Sequence, residues 1–70
     1  MKITTQKGEV VNAHDIEISG SKIQCTPDYD HRRRIVCGIY NSRRRATEIF
    51  SEMTCEGWNN ENPQYVMPQN

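Results

Sequence analysis

Two arginine triplets, Arg32, Arg33, Arg34 and Arg43, Arg44, Arg45, hold all six arginines of this chain within fourteen residues, with no acidic residue between them. A guanidinium is a planar fork that donates two parallel hydrogen bonds to a phosphate or carboxylate, so the cluster points to an anion. The second triplet follows Asn41 and Ser42, residue types that cap helices. It also opens a stretch in which Ala46, Ile49, Phe50 and Met53 recur at the i, i+3, i+4, i+7 spacing of one buried helix face. Its cations therefore fall in a first helical turn, where unpaired N–H groups already carry partial positive charge. Selection for stability alone places Asp or Glu there, so an anionic partner is expected to complete the site.

The expected ligand-binding set is Arg43, Arg44 and Arg45 with the free N–H groups of that turn and the cap residues Asn41 and Ser42, joined by Arg32 and Arg34 from the preceding strand. Tyr40 stands between the triplets and either packs at the strand end or stacks on a base. Trp58 is read as a lid over the helix, with a stacking surface as the alternative. The plainer reading of the arginines is a solvated basic face, or bridges to Glu48, Glu52, Asp28 or Asp30 of a neighbouring subunit. Within the helix, Arg44 and Arg45 can also reach Glu48, in the weaker order of Arg before Glu.

Catalysis is not expected. The possible nucleophiles are Cys25, Cys37, Cys55 or a serine and the possible bases His14 or His31, and no spacing places them together. Asp28-Tyr29-Asp30-His31 carries two carboxylates and a histidine, but reads first as a turn whose acids neutralise the arginines that follow. The cysteines have no paired spacing with each other or with the histidines, so neither a zinc site nor any other cofactor is expected. Cys37 alternates with Ile35 and Ile39 and reads as a small core residue.

The elements that must hold these residues fit in one small domain. Seventy residues with 34% apolar content can bury only a modest core, so a second copy is expected to help stability. Formal net charge is zero, which argues against a general nucleic-acid coat. The odd cysteine count and the opening MKITTQKGE, without an apolar segment, predict free thiols and a cytoplasmic location. No stretch is long and apolar enough for a bilayer span.

Alternation predicts strands over Lys2 to Gln6, Glu9 to Asn12, Asp15 to Ser19, Lys22 to Thr26, Arg32 to Tyr40 and Gln64 to Met67. Turns are expected at Lys7-Gly8, at Asn12 to Asp15 and at Ser19-Gly20-Ser21, with polar loops over Pro27 to His31 and Glu56 to Pro63. In the Arg32 to Tyr40 strand, Arg33, Ile35, Cys37 and Ile39 should face inward. Arg32, Arg34, Val36, Gly38 and Tyr40 should then face outward, with Gly38 leaving room for a close approach. The helix should end near Cys55 to Gly57. The fold class is α+β, a small antiparallel sheet of four to five strands with one helix packed on a face.

The opening MKITTQKGEVVNAHDI, the junction Gly38-Ile39-Tyr40-Asn41-Ser42, the helix RRRATEIFSEM and the ending YVMP resemble a group of small, mostly uncharacterised proteins of Firmicutes and their phages. In that group the first helical turn is usually acidic, so Arg43, Arg44 and Arg45 are a departure toward an anionic partner. By size, setting and charge, the resemblance extends to phage anti-defence proteins that sequester cyclic nucleotide or ADP-ribose signals. Together with the spacing, size and charge read above, the expected function is that of a non-enzymatic, homo-oligomeric, cytoplasmic binding protein whose arginines hold a phosphate-bearing, nucleotide-like anion. The alternative is a protein-interaction inhibitor that acts through its basic patch on a host nucleic-acid-binding protein or an acidic defence protein.

Overall fold

Glycine at two turns sets the strand order. Gly8 (φ 88°) closes the first hairpin, braced by Thr5 N–H to the Glu9 carbonyl (2.8 Å) and Gly8 N–H to the Thr5 carbonyl (2.9 Å). Gly20 (φ 62°) is the first central residue of a two-residue turn between Ser19 and Lys22, the position where hairpins favour positive φ. The computed structural model describes residues 1–54 and 64–70. It runs β1 (Lys2–Thr4), β2 (Val10–Ser19), β3 (Lys22–Pro27), β4 (Ile35–Ile39), α1 (Arg43–Glu52) and β5 (Gln64–Val66), an α+β fold.

The sheet order is β4-β3-β2-β1-β5. The first four strands form an antiparallel meander, and α1 then carries the chain from one edge of the sheet to the other. There β5 lies parallel to β1, with Ile3 opposite Tyr65. The sheet is therefore mixed rather than wholly antiparallel, because a helical crossover returns the chain in the direction of β1. The sheet also curls. Although β1 and β4 are separated by two strands, Gln6 just past β1 donates its N–H to the Cys37 carbonyl of β4 at 2.9 Å.

Two bulges alter the expected alternation. On β2, Ala13 pairs with Pro27 and Asp15 with Thr26, so His14 is an extra residue in a continuous ten-residue strand. The turn expected at Asn12 to Asp15 is this bulge: the polar residues bend the strand without ending it. On β4, Ile23 pairs with Gly38 and Gln24 with Val36, leaving Cys37 as the extra residue. Parity reverses there, so Ile39 turns outward (59% exposed) and Tyr40 turns into the core (5% exposed).

The core joins Ile3, Val11, Ala13, Ile16, Ile23 and Cys25 of the first three strands to Cys37 and Tyr40, to Ala46, Ile49 and Met53 of the helix, and to Met67. All four apolar helix positions face the sheet, Phe50 at its edge. Val10, Val36, Ile39 and Val66 are exposed, while Ala13, Met67 and Tyr40 take core places. Cys25 and Cys37 are free and buried. The Cys37 thiol is held neutral, its pKa pushed up by a hydrogen bond with the Cys25 thiol and by burial. Among the described residues no helix is long and apolar enough to cross a membrane.

The tyrosines make an alkaline prediction. Tyr65 is pushed up by burial first and then by its hydroxyl donating to the Glu52 carboxylate at 2.9 Å, and Tyr40 is pushed up by burial despite the nearby charge of Arg45. A phenol whose pKa is higher folded than unfolded supplies stability below the unfolded value of about 10, and that stability is lost as pH rises toward the folded value. Urea midpoints should therefore hold below that pH and fall above it, with Tyr65→Phe showing the shallower fall.

Candidate anion-binding site

The start of α1 is built as expected. Ser42 is the N-cap (φ −149°, ψ 157°); its Oγ accepts the Arg45 N–H at 3.2 Å, and its carbonyl accepts the Ala46 N–H at 3.2 Å. No acidic residue lies in the first turn. Arg43 and Arg44 are exposed, and among the described residues neither side chain has a hydrogen-bond or ion-pair partner. Arg45 is half-buried, and its Nε donates to the main-chain oxygen of Asn70 at 2.9 Å. Asn41 is exposed beside the cap. The Arg–Glu48 pairs expected within the helix do not form among the described residues. The outer face of α1 is a shallow open groove running from Arg43 and Arg44 past Thr47 and Glu48 to Ser51 and Glu52. Ser42→Ala should cost about 1 kcal/mol in a urea titration, the usual loss for an N-cap side chain.

The first triplet does not join this site within one protomer. Arg32 and Arg34 precede β4 whereas Arg43 follows it, so the five residues of the strand, about 16 Å at a rise near 3.3 Å each, separate them. Arg34 is engaged elsewhere, its Nε donating to Glu17 Oε1 at 2.6 Å across the sheet. Arg32 donates its main-chain N–H to Asp30 Oδ1 at 3.0 Å. The five arginines expected to share one site thus lie as two separate groups at opposite ends of one strand.

Tyr40 leaves the set as well. Its ring is buried over Gly38 and its hydroxyl donates to the Pro68 carbonyl at 3.0 Å, so it packs and does not offer a face for stacking. The room that Gly38 provides is taken by Tyr40: a Cβ built on Gly38 would lie 2.7 Å from the tyrosine hydroxyl. Trp58 and Cys55, and the expected helix end at Cys55 to Gly57, lie outside the described residues.

One constellation escapes the sequence reading. His14, the bulge residue, places Nδ1 3.2 Å from Asp28 Oδ1, and His31 Nδ1 lies 3.4 Å from His14 Nε2. The rings meet edge to face with centroids 4.9 Å apart. Counting outward along the hairpin from Gly20-Ser21 brings His14 opposite Pro27 and so beside Asp28, a signal hidden by the assumed turn at Asn12 to Asp15. The carboxylate orients the His14 ring, but His31 occupies the nitrogen that would otherwise act as a base. Both described cysteines are sealed in the core. Among the described residues no group of three His, Cys, Asp or Glu side chains could hold a metal ion.

Comparison with known proteins finds no matching family model, no matching curated relative and no matching solved structure.

Proposed function

We propose that this chain is a non-enzymatic binding protein that presents the start of α1 to an acidic surface of a protein partner. The observation that carries this reading is the pair Arg43 and Arg44, exposed and with neither side chain in an ion pair among the described residues, at the helix end where the dipole opposes them. An arrangement unfavourable to the free protein becomes favourable once carboxylates arrive, and complementary charge also speeds encounter and selects the partner. The open outer face of α1 fits a surface better than an enclosed small molecule. The resemblance to phage proteins gives such docking a setting, interference with a host defence protein.

A second reading is sequestration of a phosphate-bearing nucleotide, such as a cyclic nucleotide or ADP-ribose immune signal. It is favoured by the free N–H groups of Arg43 and Arg44 beside their guanidinium groups, the pattern of helix-start phosphate sites. Among the described residues one protomer offers neither a second wall nor a stacking ring there, and a homo-oligomer that brings two such ends together would supply the wall. Both readings place the protein in the cytoplasm.

The test is biolayer interferometry of the immobilised protein against an Asp/Glu decapeptide, cyclic di-AMP and ADP-ribose, at two salt concentrations. Decapeptide binding that weakens with salt and is lost in Arg43→Glu/Arg44→Glu supports acidic-surface docking. Nucleotide binding without decapeptide binding replaces it with sequestration. Binding of neither overturns both, leaving bridges between Arg43 or Arg44 and Glu48 or Glu52 of a second copy, which sedimentation velocity would show.

A further inference from the structure

A cleft of about 460 Å³ lies at the other end of β4 from the α1 start, between the beginning of β2 and the loop after β3. Its volume falls within the roughly 300–1,000 Å³ of small-molecule sites. Glu9, Val10 and Asn12 form one wall and Asp28, Tyr29 and Arg33 the other. The walls are fixed to each other by the Asp28 N–H, which donates to the Asn12 carbonyl at 2.9 Å. The loop is braced from within by Asp30 N–H to the Pro27 carbonyl, Arg33 N–H to the Asp30 carbonyl (both 3.2 Å) and Arg32 N–H to Asp30 Oδ1 (3.0 Å). Arg33 and Tyr29 are therefore carried on a structured loop.

The charges in this cleft are the informative feature. One guanidinium and two carboxylates line a single cavity, yet among the described residues Arg33 pairs with neither Glu9 nor Asp28. Among the described residues Asp28 uses one oxygen, on His14. Beside these groups Val10 and Tyr29 stand 59% and 69% exposed, an apolar surface in the same cleft. Opposite charges held apart around exposed apolar groups match a ligand that carries both charges and an apolar body.

We infer that this cleft binds a short zwitterionic peptide with an apolar side chain. Arg33 receives the carboxylate as a two-pronged guanidinium, Glu9 and the free oxygen of Asp28 receive the ammonium, and the side chain lies against Val10 and Tyr29. The site is independent of Arg43 and Arg44, so it stands or falls separately from docking at the start of α1.

The probe is L-leucyl-L-leucine, followed by amide chemical shifts of the ¹⁵N-labelled protein, with its N-acetylated form, its C-terminal amide and inorganic phosphate as comparisons. Saturable shifts at Asn12, Tyr29 and Arg33 are expected with the free dipeptide. Each capped form should bind about tenfold more weakly, the worth of one charge-assisted hydrogen bond. Arg33→Gln should weaken the free dipeptide by a similar factor, leave the amide form unchanged and keep the folded spectrum, while Lys22→Gln, at the start of β3 and outside the cleft, leaves dipeptide affinity unchanged. The inference is overturned by absence of saturable shifts, by equal affinity for free and capped forms, or by phosphate shifting the same amides equally well.

Discussion

Gly38→Val should destabilise the protein by about 2–3 kcal/mol, at the upper end for overpacking a filled core. A Cβ at position 38 would lie 2.7, 2.9 and 3.0 Å from the Oη, Cε2 and Cζ atoms of Tyr40. The ring cannot step aside cheaply, being 5% exposed with its hydroxyl tied to the Pro68 carbonyl. The sign of the result is diagnostic. In an ordinary strand valine is favoured over glycine by β-propensity and by a smaller loss of backbone entropy, so stabilisation would be the default. At roughly 0.05–0.15 kcal/mol per residue, a chain of this length has only about 4–10 kcal/mol in total, and the variant should show a much lower urea midpoint. The Gly38→Val/Tyr40→Ser double variant should lose less than the sum of its single changes, which a double-mutant cycle reads directly. Tyr40 leads into the cap residues Asn41 and Ser42, so a displaced ring also re-aims Arg43 and Arg44. An unchanged midpoint would mean that Tyr40 does not occupy that space.

Local chemistry made much of this fold legible in the sequence. Gly8 and Gly20 mark their turns because only glycine enters positive φ without cost, and the spacing of Ala46, Ile49, Phe50 and Met53 marks the buried face of α1. Ser42 declares the cap by its type and place. Features set by pairing register were not legible. A bulge is one extra residue against a partner strand, so neither His14 nor Cys37 announces itself, and yet the shift at Cys37 turned Ile39 outward and Tyr40 inward. The direction of β5 depends on which edge the crossover reaches, which short apolar runs do not encode. The arginines show the same limit. Their closeness along the chain reads as one site, but a strand between two triplets is a spacer, and the fold sends them to opposite ends of it. His14, Asp28 and His31 are brought together by a hairpin that runs on through the polar residues Asn12 to Asp15, which read locally as a turn.

Gln6 is the residue whose importance its sequence position conceals most, and Gln6→Ala should cost about 2 kcal/mol, several neutral hydrogen bonds each contributing near 1 kcal/mol or less when partly exposed. Its side-chain Oε1 accepts the Ile39 N–H at 2.8 Å, while Nε2 donates toward the carbonyls of Pro68 (3.0 Å), Ile39 and Gln69 (both 3.3 Å). Gln69 answers by donating its own Nε2 to the Gln6 carbonyl at 3.0 Å. One amide thus joins the first turn, the end of β4 and the segment after β5, closing the curl of the sheet. That segment also holds the acceptors of Tyr40 and Arg45, so its release should free the Arg45 guanidinium and loosen the base of the anion-binding site. Amide hydrogen exchange separates the two halves of the clasp. Gln6→Ala should speed exchange at Ile39 and at Met67, whose N–H donates to the Thr4 carbonyl. Gln6→Glu keeps an acceptor for Ile39 but sets a carboxylate against three carbonyls, so Ile39 should stay protected while Met67 does not. Equal protection at both sites in both variants would show that the backbone pairing of Gln6 with Cys37 holds this corner without the side chain.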